Sequence, residues 1–481
     1  MPLIHPAAIR DFLNWGGRGH HAPGGAWGSA PQYADDCVDG MGGFMRFKMI
    51  AALLAFLLYF VFPHHSALAV SYTLDSAIAR ALKANPSIGE KIQALESARM
   101  DVGVAQSYFW PRVSLVANSN RLRNSGAYGS TDELSNTSSS HGLRATLSLF
   151  AGFSHLNNLQ RSMIEKDIAE LQCRHAELEL IANVQVQFFN LLQARRDLRY
   201  VKESIRRITT QLEAAQAFSD VGMAPYVNVL QNRVELSQAQ EQLIATQNAV
   251  RTCEIQLNHF LGYSPEEKIT YKGYLEDYPQ KIDYSENEAL KLASGHRPDV
   301  LIAEKSIEAA KKTMLSTAGE ALPQVDLTGD MMSSSRDYVD RRYTDYDRQY
   351  WSVGVNFTWT FFEGGRTAFG VMRDKKRVNG LEFAYRNTVS SAKTDVLKAM
   401  MDIQAAKEMH ATAKQGLKAA EENYAMASNR YNTNVGTITE LLDAQTRLTE
   451  AEVRISKSLA DFQIARVRLF YNIGVKNTGL R

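Results

Sequence analysis

The stretch Trp351-Ser-Val-Gly-Val-Asn-Phe-Thr-Trp-Thr-Phe361 alternates in character at every residue. Trp351, Val353, Val355, Phe357, Trp359 and Phe361 are apolar, and Ser352, Gly354, Asn356, Thr358 and Thr360 between them are small or polar. A period of two describes a strand with one apolar and one polar face. Val113, Leu115 and Ala117 repeat the pattern, as do Leu143, Ala145, Leu147 and Leu149, and Val325 and Leu327. Strands are therefore predicted over 112–122, 141–150, 324–335 and 350–362, joined by the polar segments 130–140 and 337–349. Alternation by itself fits a soluble sandwich as well as a membrane barrel.

The start of the chain bears on that choice. Arg46 and Lys48 precede a short apolar run, Met49 to Phe62, and Ala67-Leu-Ala69 follows it. That order is a secretory signal peptide over 45–69, with cleavage expected after Ala69. Residues 1–44, Gly-rich and upstream of a complete signal, are expected to be a mis-called start, with Met41 or Met45 as the true one. In an exported chain, strands of about ten residues suit a membrane barrel. Four strands cannot close one, because the smallest membrane barrels have about eight and open edges are not tolerated in lipid. A membrane reading thus requires several chains to share one barrel.

The strands sit inside a duplication. Pro86 pairs with Pro298, Pro111 with Pro323, Phe150 with Phe362, Gly152 with Gly364, Leu236 with Leu448 and Gly262 with Gly474, all at an offset of 212 residues. The two repeats are assigned to 70–295 and 296–481. Each carries a short helix (74–84, 286–296), a second helix opened by proline (87–110, 299–321), two strands, a very long helix (151–218, 363–431) and a return helix (224–260, 438–472). At about 1.5 Å per residue each long helix spans roughly 100 Å. Leu198, Val201, Ile205, Ile208, Leu212 and Ala215 recur at spacings of three and four, the seam of a coiled coil. A short helix and a return helix stacked end to end match one long helix and would complete a uniform wall.

Cys173 and Cys253 fall on antiparallel helices at heights about 27 Å apart, far beyond the reach of a disulfide. The formal net charge of +2 gives no bias toward nucleic acid. HExxH, P-loop and G-x-S-x-G patterns are absent, as is any Cys/His cluster at metal spacing, so no enzyme, cofactor or metal is expected. Arg195, Arg196, Arg199, Arg206 and Arg207 read as a solvated helix face.

The duplicated order of elements resembles the TolC family of outer-membrane efflux and type I secretion proteins. So do Leu149-Phe-Ala-Gly-Phe153 against Phe361-Phe-Glu-Gly-Gly365, Asp220 to Gln231, and Tyr431 to Gln445. The resemblance covers about residues 72–475. It implies a mainly α fold with a β-barrel portion. Long antiparallel coiled-coil helices would form a periplasmic α-barrel, and four strands per chain would enter a shared, trimeric 12-stranded barrel in the cell outer membrane. The implied function is a passive exit duct of a tripartite efflux pump or type I secretion system. Its implied partners are a periplasmic adaptor, an inner-membrane transporter of the ABC or RND type, and outer-membrane lipid.

Three groups of residues are singled out. Gly222, its counterpart Asn434, and Gly436 lie at the helix–helix turns, which in the family meet the adaptor. Glu440 and Asp443, three apart on one helix face, would form an acidic ring at the tunnel mouth beside Tyr431. Family members that latch with an arginine in this turn would carry it where Gly436 stands. Tyr350, Trp351, Trp359 and Phe361 are placed as aromatics of a membrane girdle. The competing readings are a coiled-coil stalk, which needs neither strands nor a two-half repeat, and a general porin, which needs more strands per chain.

Overall fold

The computed structural model describes residues 71–124, 134–278, 284–338, 344–433 and 435–476. The expected extension 1–44, the signal peptide 45–69 and Asn434 lie outside these residues. The repeat is legible in the element order: α1 (Leu74–Ala84) and α5 (Glu286–His296), α2 (Pro86–Ser107) and α6 (Pro298–Gly319), and α3 (Ser154–Asp220) and α7 (Arg366–Asn432). The return helices α4 (Val227–Phe260) and α8 (Ile438–Asn472) complete the set. All but the last pair start 212 residues apart. The second repeat therefore opens with α5 at Glu286, ahead of the boundary expected at 296.

Local chemistry sets the helix ends. Asn85 Oδ1 accepts from the Ser87 N–H at 2.9 Å, and Pro86 fills the first helical position, where its missing N–H costs nothing. Ser285 and Glu288 close a reciprocal capping box on α5. Helix α2 stops at Ser107, short of the expected 110, because Pro111 disfavours helical backbone before it.

Strands β2 (Arg112–Asn124), β3 (Leu134–Ala151), β5 (Gln324–Tyr338) and β6 (Tyr346–Thr358) form one antiparallel sheet in the order β2-β3-β5-β6. The β3–β5 pairing joins the two repeats, and β2 and β6 are left as edges. Strand β3 begins well before the expected 141. Its Asn136–Ser140 segment pairs residue by residue with β2 and β5 although it carries no apolar face to signal a strand. Strand β6 begins earlier and ends earlier than expected. Its last residue, Thr358, pairs with Gln324, the first residue of β5 after Pro323, so Trp359 to Phe362 have nothing left to pair with. A two-residue parallel pair, β1 (Ser71–Tyr72) with β4 (Thr270–Tyr271), was too short to register as a pattern.

The helices make a wall one layer thick. Helices α2 and α4 pack along one side of α3; α6 and α8 lie between α3 and α7. The wall therefore runs in the same order as the sheet, with open edges on the same two sides. Burial concentrates where the short helices cross the wall. Leu74 and Ile78 of α1 join Phe188, Phe189 and Leu191 of α3 with Leu257 and Tyr271. In the second repeat Ala289 and Ala293 of α5 join Val396, Ile403, Phe462 and Leu469. Cys173 and Cys253 are free thiols on α3 and α4, and burial pushes both above the usual thiol range.

Candidate functional site: hairpin tips and the two faces of the sheet

Both long helices end in the same backbone device. At α3 the Gly222 N–H donates to Ser219 O (3.0 Å) and the Met223 N–H to Phe218 O (2.8 Å), a Schellman turn with Gly222 at φ 73°. At α7 the Val435 N–H donates to Arg430 O at 2.9 Å, the equivalent bond. Two exposed apolar side chains, Val221 and Met223, flank Gly222. A Cβ added at Gly222 meets nothing within 4 Å, so Gly222→Ala incurs only the left-handed backbone cost, about 1–2 kcal/mol. The expected result is unchanged assembly with reduced export in cells. Unchanged export would count against the expectation that Gly222 meets an adaptor.

Gly436 differs. A Cβ there would lie 3.0 Å from Arg430 Cβ and 3.2 Å from Tyr431 N, so the turn is built around the absent side chain. A side chain at this position would require Arg430 and Tyr431 to give by a few tenths of an ångström.

Tyr431 is 6% exposed and packs with Ile438 and Leu441, with Tyr424, Ala427 and Leu442 around them. Burial pushes its phenol up, and the Asn228 side chain from the other hairpin partly offsets this. Tyr431 is thus a packed element of the tip, in contact across the hairpins. Glu440 and Asp443 are exposed on the first two turns of α8, as their spacing requires. Each faces an arginine: Glu440 sits 3.8 Å from Arg430, and Asp443 sits 3.6 Å from Arg447.

The strongest polar link of the tip region went unseen in the sequence. Arg207 of α3 grips Glu452 of α8 with both terminal nitrogens (2.9 and 3.3 Å), and its Nε donates to Gln445 at 3.1 Å. Gln445 also donates to Ser204. Glu452 is held above the usual carboxylate range by burial, with Arg207 acting against that shift. The solvated-face reading of the arginines therefore fails for three of the five. Arg207 is largely buried against Glu452, Arg195 donates to Tyr271 O and pairs with Glu254, and Arg196 pairs with Glu276. Arg206 stays exposed. The signal was present as polar residues punctuating the seam. The buried positions of α3 here are Val201, Ser204, Ile208, Gln211 and Ala215, so two of the five are polar. Leu198, Ile205 and Leu212 of the expected seam are only half-buried.

The sheet register sorts its residues into two faces. Leu115, Leu143, Met331 and Trp351 form one row across all four strands; Val113, Ala145, Gly329 and Val353 form the next, and Leu147, Leu327 and Val355 a third. These rows are apolar yet exposed: Leu115 77%, Met331 70% and Trp351 79%. The opposite face is polar, with rows such as Ser114, Arg144, Asp330 and Ser352. Arg144 Nε donates to Asp330 at 2.6 Å across that face. Of the expected girdle aromatics, Tyr350 falls on the polar side, because it neighbours Trp351 on one strand and successive side chains point opposite ways. Trp359 and Phe361 lie just beyond the strand end; the Trp359 indole donates to Ala321 O at 3.1 Å.

A sheet with one apolar exposed face and one polar face, joined to a helical wall of about 100 Å, has the build of an outer-membrane duct subunit. The outer membrane efflux protein family matches residues 77–263 and 289–475, and the chain belongs to that family. The two matched segments start 212 residues apart, at the offset of the repeat. The outer membrane efflux protein BepC of Brucella suis is 23% identical over 407 residues, covering 84% of this chain and 86% of that protein. The outer membrane protein TolC of Escherichia coli is 23% identical over 429 residues, covering 86% and 84%. Among solved structures, the CusC channel superposes with a TM-score of 0.74 at 17% identity, covering 84% of this chain and 92% of that one. Members of this family are channels, not enzymes.

Proposed function

We propose that three copies of this chain close into a 12-stranded barrel in the outer membrane, continued by a 12-helix tunnel in the periplasm. Substrates cross it passively, delivered by an inner-membrane transporter through a periplasmic adaptor that contacts the hairpin tips. The carrying observation is the sheet order. Strands β2 and β6 are unpaired edges, and the face they share is apolar and exposed, a combination that lipid tolerates only in a closed barrel.

The wall supports the same closure. Its α7 edge exposes Phe369, Met372, Phe383, Met401 and Met409, and its other edge exposes Met100 and Val104 of α2 with Val234 and Ile244 of α4. Apolar seams on both edges fit the joining of one copy to the next.

At the tunnel mouth, Glu440 and Asp443 repeated by threefold symmetry make a ring of carboxylates that draws cations in. Their arginine neighbours, Arg430 and Arg447, are exposed and solvent-screened, so they weaken the ring without cancelling it. In planar bilayers, Glu440→Gln with Asp443→Asn is expected to lower cation preference several-fold while conductance remains. An unaltered reversal potential in a salt gradient would count against the ring.

A further inference from the structure

The polar face of the sheet has its own electrostatic character. The register places Arg112, Arg144, Asp326, Asp330, Arg336 and Arg348 on it, together with Thr146, Thr328, Asn356 and serines. Among the described strand residues that is four arginines against two aspartates. Asp330 is already covered by Arg144, with side-chain exposures of 18% and 49%. The free charge of this face is therefore positive, opposite to that of the Glu440 and Asp443 tip.

The arginines farthest from the helices are interleaved with aromatic and apolar groups. Arg336 lies opposite Tyr346, Ser334 opposite Arg348, and Met332 opposite Tyr350. The Arg336 guanidinium lies 5.7 Å from the centre of the Tyr346 ring. Met332 is 7% exposed and lies flat over β3, where its Sδ is 2.7 Å from the point a Gly142 Cβ would occupy. Gly142 thus makes the room in which Met332 packs, in the row next to Arg348 on the side of Arg144 and Asp330. Tyr346, Arg348 and Tyr350 are exposed on the same face.

We infer that this patch is a luminal binding station for aromatic organic anions, at the end of the described strands farthest from the helices. The guanidiniums supply charge complementarity, and the exposed Tyr346 and Tyr350 rings supply a surface for a flat apolar body. The positive charge of this face holds an anionic group at the outer end of the duct. The inference rests on the barrel reading, which makes this face a lumen.

The test is single-channel recording of the full-length protein in planar bilayers. The probe is pyrenetetrasulfonate, a flat polyanion, added on the extracellular side, with the aromatic dication paraquat as its counterpart. The wild type is expected to show much longer current interruptions with the polyanion than with paraquat. Arg336→Gln with Arg348→Gln is expected to shorten the interruptions about tenfold, since two attracting charges are gone from each copy. Arg348→Lys alone keeps the charge and should retain most of the effect. An unchanged potassium chloride conductance shows that each variant still assembles. Interruptions by paraquat as long as those by the polyanion, or a double variant like the wild type, overturn the inference and leave the channel intact. Absence of any conductance overturns both, since the face then lines no lumen.

Discussion

A Val355→Arg chain is expected to disappear from the outer-membrane fraction, whereas Asn356→Arg, one residue on, is expected to assemble. Val355 is 63% exposed in the third apolar row, midway between Trp351 and Trp359, in the band proposed to face lipid. A charge on a lipid face at the bilayer midplane costs about 2–4 kcal/mol, and in the proposed trimer every copy would bear that cost. Asn356 is on the polar face, where a guanidinium stays in water. The measurement is the amount of assembled protein extracted from outer membranes for each variant. Equal loss would mean that the two faces are not different environments. Equal retention would remove lipid from the apolar side.

Gly152→Ala is the second substitution with a large expected effect. Gly152 has φ 61°, and a Cβ added there would lie 1.9 Å from the carbonyl oxygen of Gly319. The reverse holds too, with a Gly319 Cβ 2.1 Å from Gly152 O. The end of β3 and the end of α6 meet backbone to backbone at this point, where barrel and wall join. Neither side can yield as a flexible side chain would. The left-handed backbone and the forced displacement together are expected to cost roughly 2–5 kcal/mol. Gly364, the counterpart in the second repeat, supplies the control. It has the same φ of 61° with nothing within 4 Å of an added Cβ, so Gly364→Ala pays the backbone cost alone, about 1–2 kcal/mol. Thermal unfolding in detergent should separate the two variants clearly. If both fall by the same amount, the close approach of Gly152 and Gly319 is not what holds the joint.

The contrast between Gly152 and Gly364 shows where sequence reading stops. The offset of 212 paired these glycines correctly, but only the fold shows that one abuts a backbone and the other open space. Elements with a strong period were legible from the residues alone. The helix starts at Pro86 and Pro298, the proline-free long helices and the alternation from Trp351 to Thr358 all appear where expected. The Ser135–Ser140 half of β3 was not, because a strand that is polar on both faces has no period to detect. Its pairing comes from neighbours distant in the chain.

The tip followed the same division. Gly222 announced a left-handed turn through its residue type. The Arg207–Glu452 link joins residues of different repeats, and nothing in the local run of arginines distinguishes Arg207 from exposed Arg206. The polarity of buried Ser204 and Gln211 was the available clue, since a seam interrupted by polar residues must satisfy them from the facing helix. Tyr350 shows a further limit. Aromatic character suggested a girdle, but parity on the strand decides the face, and parity places it with Arg348 and Met332.

The central claim is that one chain supplies a third of a closed barrel. Light scattering of the detergent-extracted outer-membrane form, with the detergent contribution subtracted, tests it most directly. Three copies per particle are expected. A monomer recovered from the soluble periplasm would contradict it, because the β2 and β6 edges would then have no partner to close them.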